Sequence, residues 1–176
     1  MKKQKALFLD RDGIINIDHG YVSTKEHFEF TEGIFKLLHL FEQKGYLLFI
    51  VTNQSGIGRG YYTLKAFESL TQWMLGVLEK EGITIEKVAY CPHAPNEQCT
   101  CRKPETGMIE KILKEYVVDL SCSWLMGDKQ SDIDLAKKSG IAKSVSIGTK
   151  ALKGEDLHFK TIVQALQYFI DHPQDF

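Results

Sequence analysis

The chain has 176 residues, of which 43% are hydrophobic and 26% charged, a balance typical of one soluble globular domain spanning 1–176. Its net charge of −1 offers no basic excess for nucleic acid or a membrane surface, so we expect neither as a partner. The N-terminal apolar run ALFLD is too short for a signal peptide, and no run reaches transmembrane length. We therefore expect a cytoplasmic protein and, since no apolar stripe exceeds the needs of a core, a monomer.

Apolar, β-rich segments alternate along the chain with segments of helical periodicity. Strands are predicted near residues 6–10, 46–52, 86–91, 123–127 and 143–147. Helices are predicted over 33–44, 63–81, 106–116, 131–139 and about 160–171. In the fourth helix, Ser131 is the expected N-cap and Gly140 the residue that ends it.

This alternation predicts an α/β protein with a three-layer α/β/α Rossmann-like fold and a central, mainly parallel sheet. The intervals between the polar motifs hold a loop, one helix and one strand at most, so no cap domain is expected. The segment 149–176 carries no recognised chemistry and is expected to add a terminal strand and helix.

Three polar motifs stand where predicted strands stop: FLDRDG, VTNQSG and MGDKQSD. Ligands of open parallel sheets bind beyond the carboxyl ends of the strands, so the polar groups of all three motifs are expected at one edge. The residues concerned are Asp10, Asp12, Thr52, Asn53, Asp128 and Asp132.

The carboxylates suit phosphoryl transfer through an aspartate. Asp10 can attack phosphorus and form an aspartyl phosphate, while Asp12 can protonate the leaving alkoxide and then deprotonate water. Carboxylates beside a phosphate repel it, so a divalent cation is needed, and Mg²⁺ suits such hard oxygen ligands. Asp128 is the expected distant metal ligand, and Asp132 is expected to hold a metal-bound water or to orient Lys103.

Other side chains can bind the phosphoryl oxygens. Thr52 and Asn53 offer a hydroxyl and an amide at the end of the second strand. Lys103 supplies a point charge, and Arg102 can grip a second anion with two parallel hydrogen bonds. Each residue alone could instead be a turn, cap or solvated residue; their common order and placement favour a site.

A cluster of cysteines with one histidine occupies the loop 91–101. Three thiolates and an imidazole form a complete tetrahedral zinc set, and its place just before Arg102 suggests a structural role. The alternative is free thiols, or one disulfide with a spare thiol. The predicted zinc ligands are Cys91, His93, Cys99 and Cys101. Cys122, near a buried strand, is expected to be a core residue.

These motifs together resemble those of the haloacid dehalogenase (HAD) superfamily of phosphohydrolases. FLDRDG resembles its DxD motif, VTNQS its Thr/Ser motif, RKP its lysine motif and GDKQSD its acidic motif. The resemblance implies Asp10 as nucleophile, Asp12 as acid and base, and Mg²⁺ on Asp10, Asp128 and the Asp12 backbone carbonyl. The absence of cap-sized insertions is similar to the capless subgroup.

Within that superfamily, two branches carry a similar zinc loop. The segments INIDHGYV and VTNQSGIGRG resemble phosphatases that remove the 7-phosphate of D-glycero-D-manno-heptose 1,7-bisphosphate in the synthesis of nucleotide-heptose precursors, for example for lipopolysaccharide. The short spacing between His93 and Cys99 resembles histidinol-phosphate phosphatases. A third reading, of another class, is a non-catalytic metal-binding module on a phosphatase fold.

The first branch is the expected one, with a sugar bisphosphate as substrate. The resemblance implies contacts to the sugar, the phosphates and the hydroxyls from Asp18, His19, Gly20, Tyr21, Thr52, Asn53, Gln54, Ser55, Arg102, Lys103 and Lys129. It indicates neither the α nor the β anomer at C1.

Overall fold

The computed structural model describes residues 3–176, which form a six-stranded parallel sheet with the strand order β3-β2-β1-β4-β5-β6. The strands are β1 Ala6–Leu9, β2 Leu47–Asn53, β3 Ile85–Cys91, β4 Trp124–Gly127, β5 Lys143–Ile147 and β6 Leu157–Phe159. The predicted parallel sheet is confirmed, and β6 is the strand expected in the C-terminal segment.

Within residues 3–176, six α-helices connect and follow the strands. They are α1 Ile34–Gln43, α2 Ser55–Gly58, α3 Leu64–Lys80, α4 Gly107–Leu113, α5 Gln130–Ser139 and α6 Ile162–Asp171. Short 3₁₀ turns cover Lys25–His27, Leu120–Cys122 and Pro173–Asp175. Five of these helices match predicted ones, whereas α2 was not predicted because its four residues, SGIG, show no apolar period.

The sheet is buried on both faces, as β1 illustrates. Its residues alternate between two apolar cores: Leu7 and Leu9 pack with α1, α3 and α6, whereas Ala6 and Phe8 pack with α4 and α5. All four are fully buried. Because both faces of the central strand are covered by helices, the three-layer α/β/α architecture is confirmed.

Two local predictions were wrong. Helix α5 begins at Gln130 with Lys129 as its N-cap residue, because the carboxylate of Asp132 reaches back to accept a hydrogen bond from the Lys129 backbone N–H at 3.0 Å. Ser131 is therefore inside the helix. Cys122 is exposed rather than in the core, since it lies in the 3₁₀ turn before β4.

The end of α5 agrees with expectation, because Gly140 adopts a left-handed conformation with φ of 76°. Among residues 3–176, no helix combines the length and the apolar character that crossing a membrane requires.

Candidate active site

The polar motifs meet at the carboxyl edge of the sheet. Because β1 lies between β2 and β4, Asp10, Asn53 and Asp128 come from three neighbouring strands. The Asp10 backbone N–H continues the ladder by donating to Met126 O at 3.0 Å. Asp10, Asp128 and Asp132 each place one carboxylate oxygen within 4.8 Å of the others.

A buried lysine lies between two of these carboxylates. The Lys103 Nζ atom is 2.9 Å from Asp10 Oδ1 and 2.6 Å from Asp132 Oδ1, and it also donates to Val51 O at 2.9 Å. Burial opposes its charge, but Asp10 and Asp132 hold the pKa of Lys103 above its usual range. The ammonium therefore keeps its charge beside Asp10.

Asp10 is itself deeply buried. Burial raises its pKa to about 7, against the lowering effect of Lys103, and the negative charges of Asp132 and Asp128 act in the same direction as burial. One further positive charge near Asp10 would therefore favour the ionised, nucleophilic carboxylate.

The surroundings of Asp128 fit a divalent cation. Its Oδ1 atom is buried and has no hydrogen-bond partner, and burial raises its pKa. The carboxylate lies against Gly13, where an added Cβ would come within 2.3 Å of Asp128 Oδ2. A buried carboxylate oxygen without a donor, close to Asp10, is the type of ligand that Mg²⁺ prefers. Asp132 differs, since its two oxygens accept from Lys103 and the Lys129 N–H.

Asp12 is held from two sides. Its Oδ1 accepts from Arg11 Nη2 at 2.8 Å, Arg11 Nε at 3.3 Å and Asn16 Nδ2 at 3.0 Å. Its Oδ2 accepts from Gln54 Nε2 at 3.0 Å. The side chain of Asp12 is still 16% exposed, so it can meet a ligand.

A cavity of about 350 Å³ opens above these groups. Ten of the predicted site residues line it, together with the unpredicted Tyr62 and Ser131. The ten are Asp12, Asp18, Gly20, Tyr21, Asn53, Gln54, Ser55, Arg102, Lys103 and Lys129. Three of them are cations, and the buried Arg102 Nη1 has no hydrogen-bond partner, so the cavity is suited to an anionic ligand.

Besides the carboxylate cluster of Asp10, Asp128 and Asp132, two predicted residues do not line this cavity. Thr52 is fully buried, and its hydroxyl accepts a hydrogen bond from Gln54 Nε2 at 2.8 Å. His19 lines an adjacent cavity of about 480 Å³, and its Nε2 lies 3.2 Å from Glu29 Oε2. The structure thus places Thr52 behind the site and His19 beside it.

Four polar residues of the site were missed by the sequence reasoning: Arg11, Asn16, Tyr62 and Ser131, which was predicted only as a helix N-cap. Arg11 is 1% exposed, whereas a charged residue between two aspartates is normally predicted to be solvent-exposed. Asn16 is fully buried. One indication in the sequence that Arg11 and Asn16 belong to the site is the unusual number of polar residues directly after a buried strand. For Tyr62, eight residues beyond Gln54 in a glycine-rich segment, the sequence offers no such indication.

The Cys/His loop forms a compact cluster whose four donor atoms all lie within 4.8 Å of one another. The His93 Nδ1 atom is 3.3 Å from Cys91 Sγ and 3.2 Å from Cys101 Sγ, and Cys91 Sγ is 3.7 Å from Cys99 Sγ. The cysteines are unpaired thiols. The distance between Cys91 Sγ and Cys99 Sγ matches the edge of a tetrahedron around one metal ion, about 3.8 Å for metal–sulfur bonds of 2.3 Å. Cys101 Sγ is only 2.7 Å from Cys91 Sγ, so these two sulfur atoms would have to move apart to share a metal ion.

The three thiols of the cluster differ in how their surroundings shift their pKa values. Burial opposes ionisation of Cys99, but backbone N–H groups of Arg102 and Cys101 lower its pKa to about 7. Burial raises the pKa of both Cys91 and Cys101, and a metal cation would reverse that effect.

Hydrogen bonds at the end of β2 connect the Cys/His cluster to the residues of the cavity. The Gln54 N–H donates to Cys91 O at 2.8 Å, and the Lys103 N–H donates to Asn53 Oδ1 at 2.9 Å. The loop therefore begins and ends against the residues that line the cavity.

Known proteins share this architecture and sequence. Residues 7–161 match the family described as "Polynucleotide kinase 3 phosphatase". The crystal structure of D,D-heptose 1,7-bisphosphate phosphatase from B. bronchiseptica, complexed with magnesium and phosphate, superposes with a TM-score of 0.83 at 24% identity. The superposition covers 96% of this chain and 99% of that chain. This last likeness supports the fold.

Two relatives are closer in sequence. The D-glycero-beta-D-manno-heptose-1,7-bisphosphate 7-phosphatase of Helicobacter pylori is 55% identical over 134 residues, 76% of this chain and 78% of the relative. The D-glycero-alpha-D-manno-heptose-1,7-bisphosphate 7-phosphatase of Campylobacter jejuni is 44% identical over 168 residues, 95% of this chain and 96% of the relative.

The solved structure of a "putative had-like phosphatase" from Mesorhizobium loti also superposes, with a TM-score of 0.84 at 29% identity over 96% of this chain and 85% of that chain. Fold, site and this likeness thus define a phosphatase of the HAD type, which confirms the superfamily predicted from the motifs. Within it, the chain belongs to the family described as "Polynucleotide kinase 3 phosphatase" and groups with relatives named for heptose-bisphosphate phosphatase activity.

Proposed function

We propose that this chain, as one phosphatase domain over residues 1–176, is a Mg²⁺-dependent enzyme. It removes the 7-phosphate of D-glycero-D-manno-heptose 1,7-bisphosphate to give the 1-phosphate, a step in nucleotide-heptose precursor synthesis. The observation that carries the proposal is the contact of the buried Asp10 with Lys103, which lines a cavity together with two further cations, Arg102 and Lys129. The names of the relatives at 55% and 44% identity support the substrate.

In the first step, Asp10 attacks the 7-phosphorus. Its Oδ1 already accepts from the Arg11 N–H at 2.8 Å and from Lys103, so Oδ2 is the attacking oxygen. The bond between phosphorus and the C7 oxygen breaks, the bond between Asp10 and phosphorus forms, and Asp12 gives its proton to the leaving alkoxide.

In the second step, Asp12 takes a proton from water, whose oxygen attacks the aspartyl phosphate. The bond between Asp10 and phosphorus breaks, which releases inorganic phosphate, restores the Asp10 carboxylate and leaves Asp12 protonated for the next cycle. Lys103 faces the charge that develops on the phosphoryl group, and Asp132 keeps the ammonium in place.

The metal ions have separate proposed roles. Asp10, Asp128 and the Asp12 backbone carbonyl would hold Mg²⁺, which supplies positive charge that offsets the repulsion between the carboxylates and the phosphate. A structural Zn²⁺ would be held by the Cys/His cluster, which the donor distances support.

The rest of the cavity is proposed to bind the sugar and its second phosphate. The partly exposed Arg102 and the exposed Lys129 are proposed to bind the 1-phosphate, and Asp18 and Tyr21, which line the same cavity, are proposed to contact sugar hydroxyls. We place the reaction in the cytoplasm and expect a monomer, which light scattering after size exclusion would test.

The test is phosphate release from both anomers of the heptose bisphosphate and from histidinol phosphate, followed by phosphorus NMR. Loss of the 7-phosphate signal from one or both anomers is the expected result. Asp10→Asn should abolish turnover with an unchanged circular dichroism spectrum, because the amide cannot form the acyl phosphate.

Either of two results would overturn the proposal. Turnover of histidinol phosphate alone would mean that the short spacing between His93 and Cys99 is the better guide to the substrate. No phosphate release from any ester would favour a non-catalytic module.

A further inference from the structure

The side chain of Gln54, which the sequence predicted as a substrate contact, makes three hydrogen bonds inside the protein. The residue is 2% exposed. Its Nε2 donates to Asp12 Oδ2 at 3.0 Å and to Thr52 Oγ1 at 2.8 Å, and its Oε1 accepts from the Tyr62 hydroxyl at 2.5 Å. Both amide protons and the amide oxygen are therefore used inside the protein.

The direction of these hydrogen bonds is fixed by chemistry. Gln54 Nε2 faces two oxygen atoms, Asp12 Oδ2 and Thr52 Oγ1, and an amide NH₂ group can only donate, so both oxygens accept from it. The Gln54 oxygen then faces Tyr62, whose hydroxyl must donate. Burial raises the pKa of Tyr62 to about 12, against the lowering effect of Arg11, so the phenol retains the proton it donates.

The two oxygens of Asp12 are not equivalent. Oδ1 receives three N–H donors from Arg11 and Asn16, whereas Oδ2 receives one from Gln54. Arg11 is itself fixed, because it donates to Val22 O at 2.7 Å and lies near the rings of Phe28 and Phe67. Oδ1 is the anchored oxygen, and Oδ2 keeps the free lone pair.

Tyr62 is held in place by its own packing. A Cβ on Gly56 would come within 2.1 Å of Tyr62 Cε1, so the ring lies directly on the backbone of α2. Such contact restricts the ring to one position, from which its hydroxyl meets Gln54.

We infer that Tyr62 and Gln54 are positioning residues that make Asp12 Oδ2 the oxygen which transfers the proton. In the first step the O–H bond at Oδ2 breaks as the O–H bond of the leaving alcohol forms; in the second step Oδ2 takes the proton from water. This inference rests on the proposed phosphatase activity. It adds the Asp12 atom that transfers the proton and the residues that hold this atom in place.

The experiment is the dependence of kcat/KM on the basicity of the leaving group, measured with a series of para-substituted phenyl phosphates. The parameter kcat/KM covers steps up to release of the phenol, and only poor leaving groups need the proton from Asp12. Because the esters are of similar size, a change in slope reports proton donation rather than sugar binding.

Tyr62→Phe removes one hydroxyl from the chain. With phenyl phosphate, kcat/KM should fall about fivefold, the effect of one hydrogen bond, whereas with p-nitrophenyl phosphate it should stay within about twofold. Gln54→Met, which keeps the length and removes the amide, should lower the phenyl phosphate value about tenfold or more. The Asp12→Asn variant gives the dependence of kcat/KM on leaving-group basicity that remains without a general acid.

Tyr61→Phe is the matched control, because it removes a neighbouring phenol whose ring packs edge-on against Tyr21. It should keep the wild-type slope. An equal fall in kcat/KM across the whole series for Tyr62→Phe and Gln54→Met would overturn the inference and leave a purely structural role. If the wild-type protein cleaves none of the esters or sugar phosphates, the proposed function itself fails.

Discussion

At the scale of single residues, the site is organised around charges that are buried together. Lys103 has a side chain 2% exposed and touches both Asp10 and Asp132. Burying an ion pair gains little by itself, but removing one partner leaves uncompensated charge in a low dielectric. This asymmetry makes the lysine important for stability as well as for chemistry.

We predict that Lys103→Met lowers the free energy of unfolding by about 3–5 kcal/mol at pH 8, because two buried carboxylates lose their counter-ion. Phosphatase activity should fall at least about a hundredfold, since the charge facing the phosphoryl group is gone. Urea unfolding and steady-state kinetics measure the two effects.

Lys138→Met is the matched control, because Lys138 Nζ pairs with Glu105 at 2.9 Å with both side chains about half exposed. Its stability should change by less than about 1 kcal/mol. Equal losses for Lys103→Met and Lys138→Met would show that the buried ammonium has no special role.

At the scale of elements, the Cys/His loop connects β3 to the residues that face the ligand. Its start contacts the end of β2 through Cys91 O, and Pro92 O accepts from the Gly58 N–H of α2 at 2.8 Å. The loop has little apolar material of its own, so its order depends on the cluster of four donors.

We predict that Cys99→Ser lowers the zinc content of the purified protein and reduces Tm by about 5 °C or more, because three ligands hold the metal less tightly than four. Cys122→Ser is the control, since this exposed thiol lies outside the cluster. Metal analysis and thermal unfolding are the measurements. Unchanged zinc in Cys99→Ser would contradict a four-ligand site.

The elements also show what the sequence could and could not predict. Apolar runs such as LLFIVT predict buried strands, and parallel strands bring Asp10 and Asp128 together without any further information. Helix α2 could not be found, because its glycines serve close packing against Tyr62 and the loop rather than a helical period. The N-cap of α5 depends on a carboxylate that folds back on Lys129, and the site contact of Tyr62 depends on the path of a loop.

At the scale of the whole molecule, the buried carboxylates link metal binding to folding. Burial raises the pKa of Asp10 from 3.8 to about 7. The neutral carboxyl therefore stabilises the fold fully below its unfolded-state pKa, and this contribution is lost as pH rises through about 7. A divalent cation would favour the ionised form of Asp10, so the stability that it adds to the fold would increase as pH rises.

We predict that, without added Mg²⁺, wild-type protein loses stability relative to Asp10→Asn as pH rises from 4 to about 7. Added Mg²⁺ should raise the wild-type Tm more at pH 8 than at pH 5.5, because less proton release is then required. Thermal unfolding across this pH range is the measurement. Parallel pH profiles for the two proteins would contradict the buried titration of Asp10.

The strand order also has a consequence for biosynthesis. The strand that bears the proposed nucleophile is made first, yet one of its two neighbours is made late: the Ala6 N–H donates to Ser123, 117 residues further on. Leu7, Phe8 and Leu9 pair with β4, and Asp128 follows that strand directly. A nascent chain that stops before β4 has the proposed nucleophile without Asp128, its proposed metal ligand, so we expect phosphatase activity only after β4 has been made and can pair with β1.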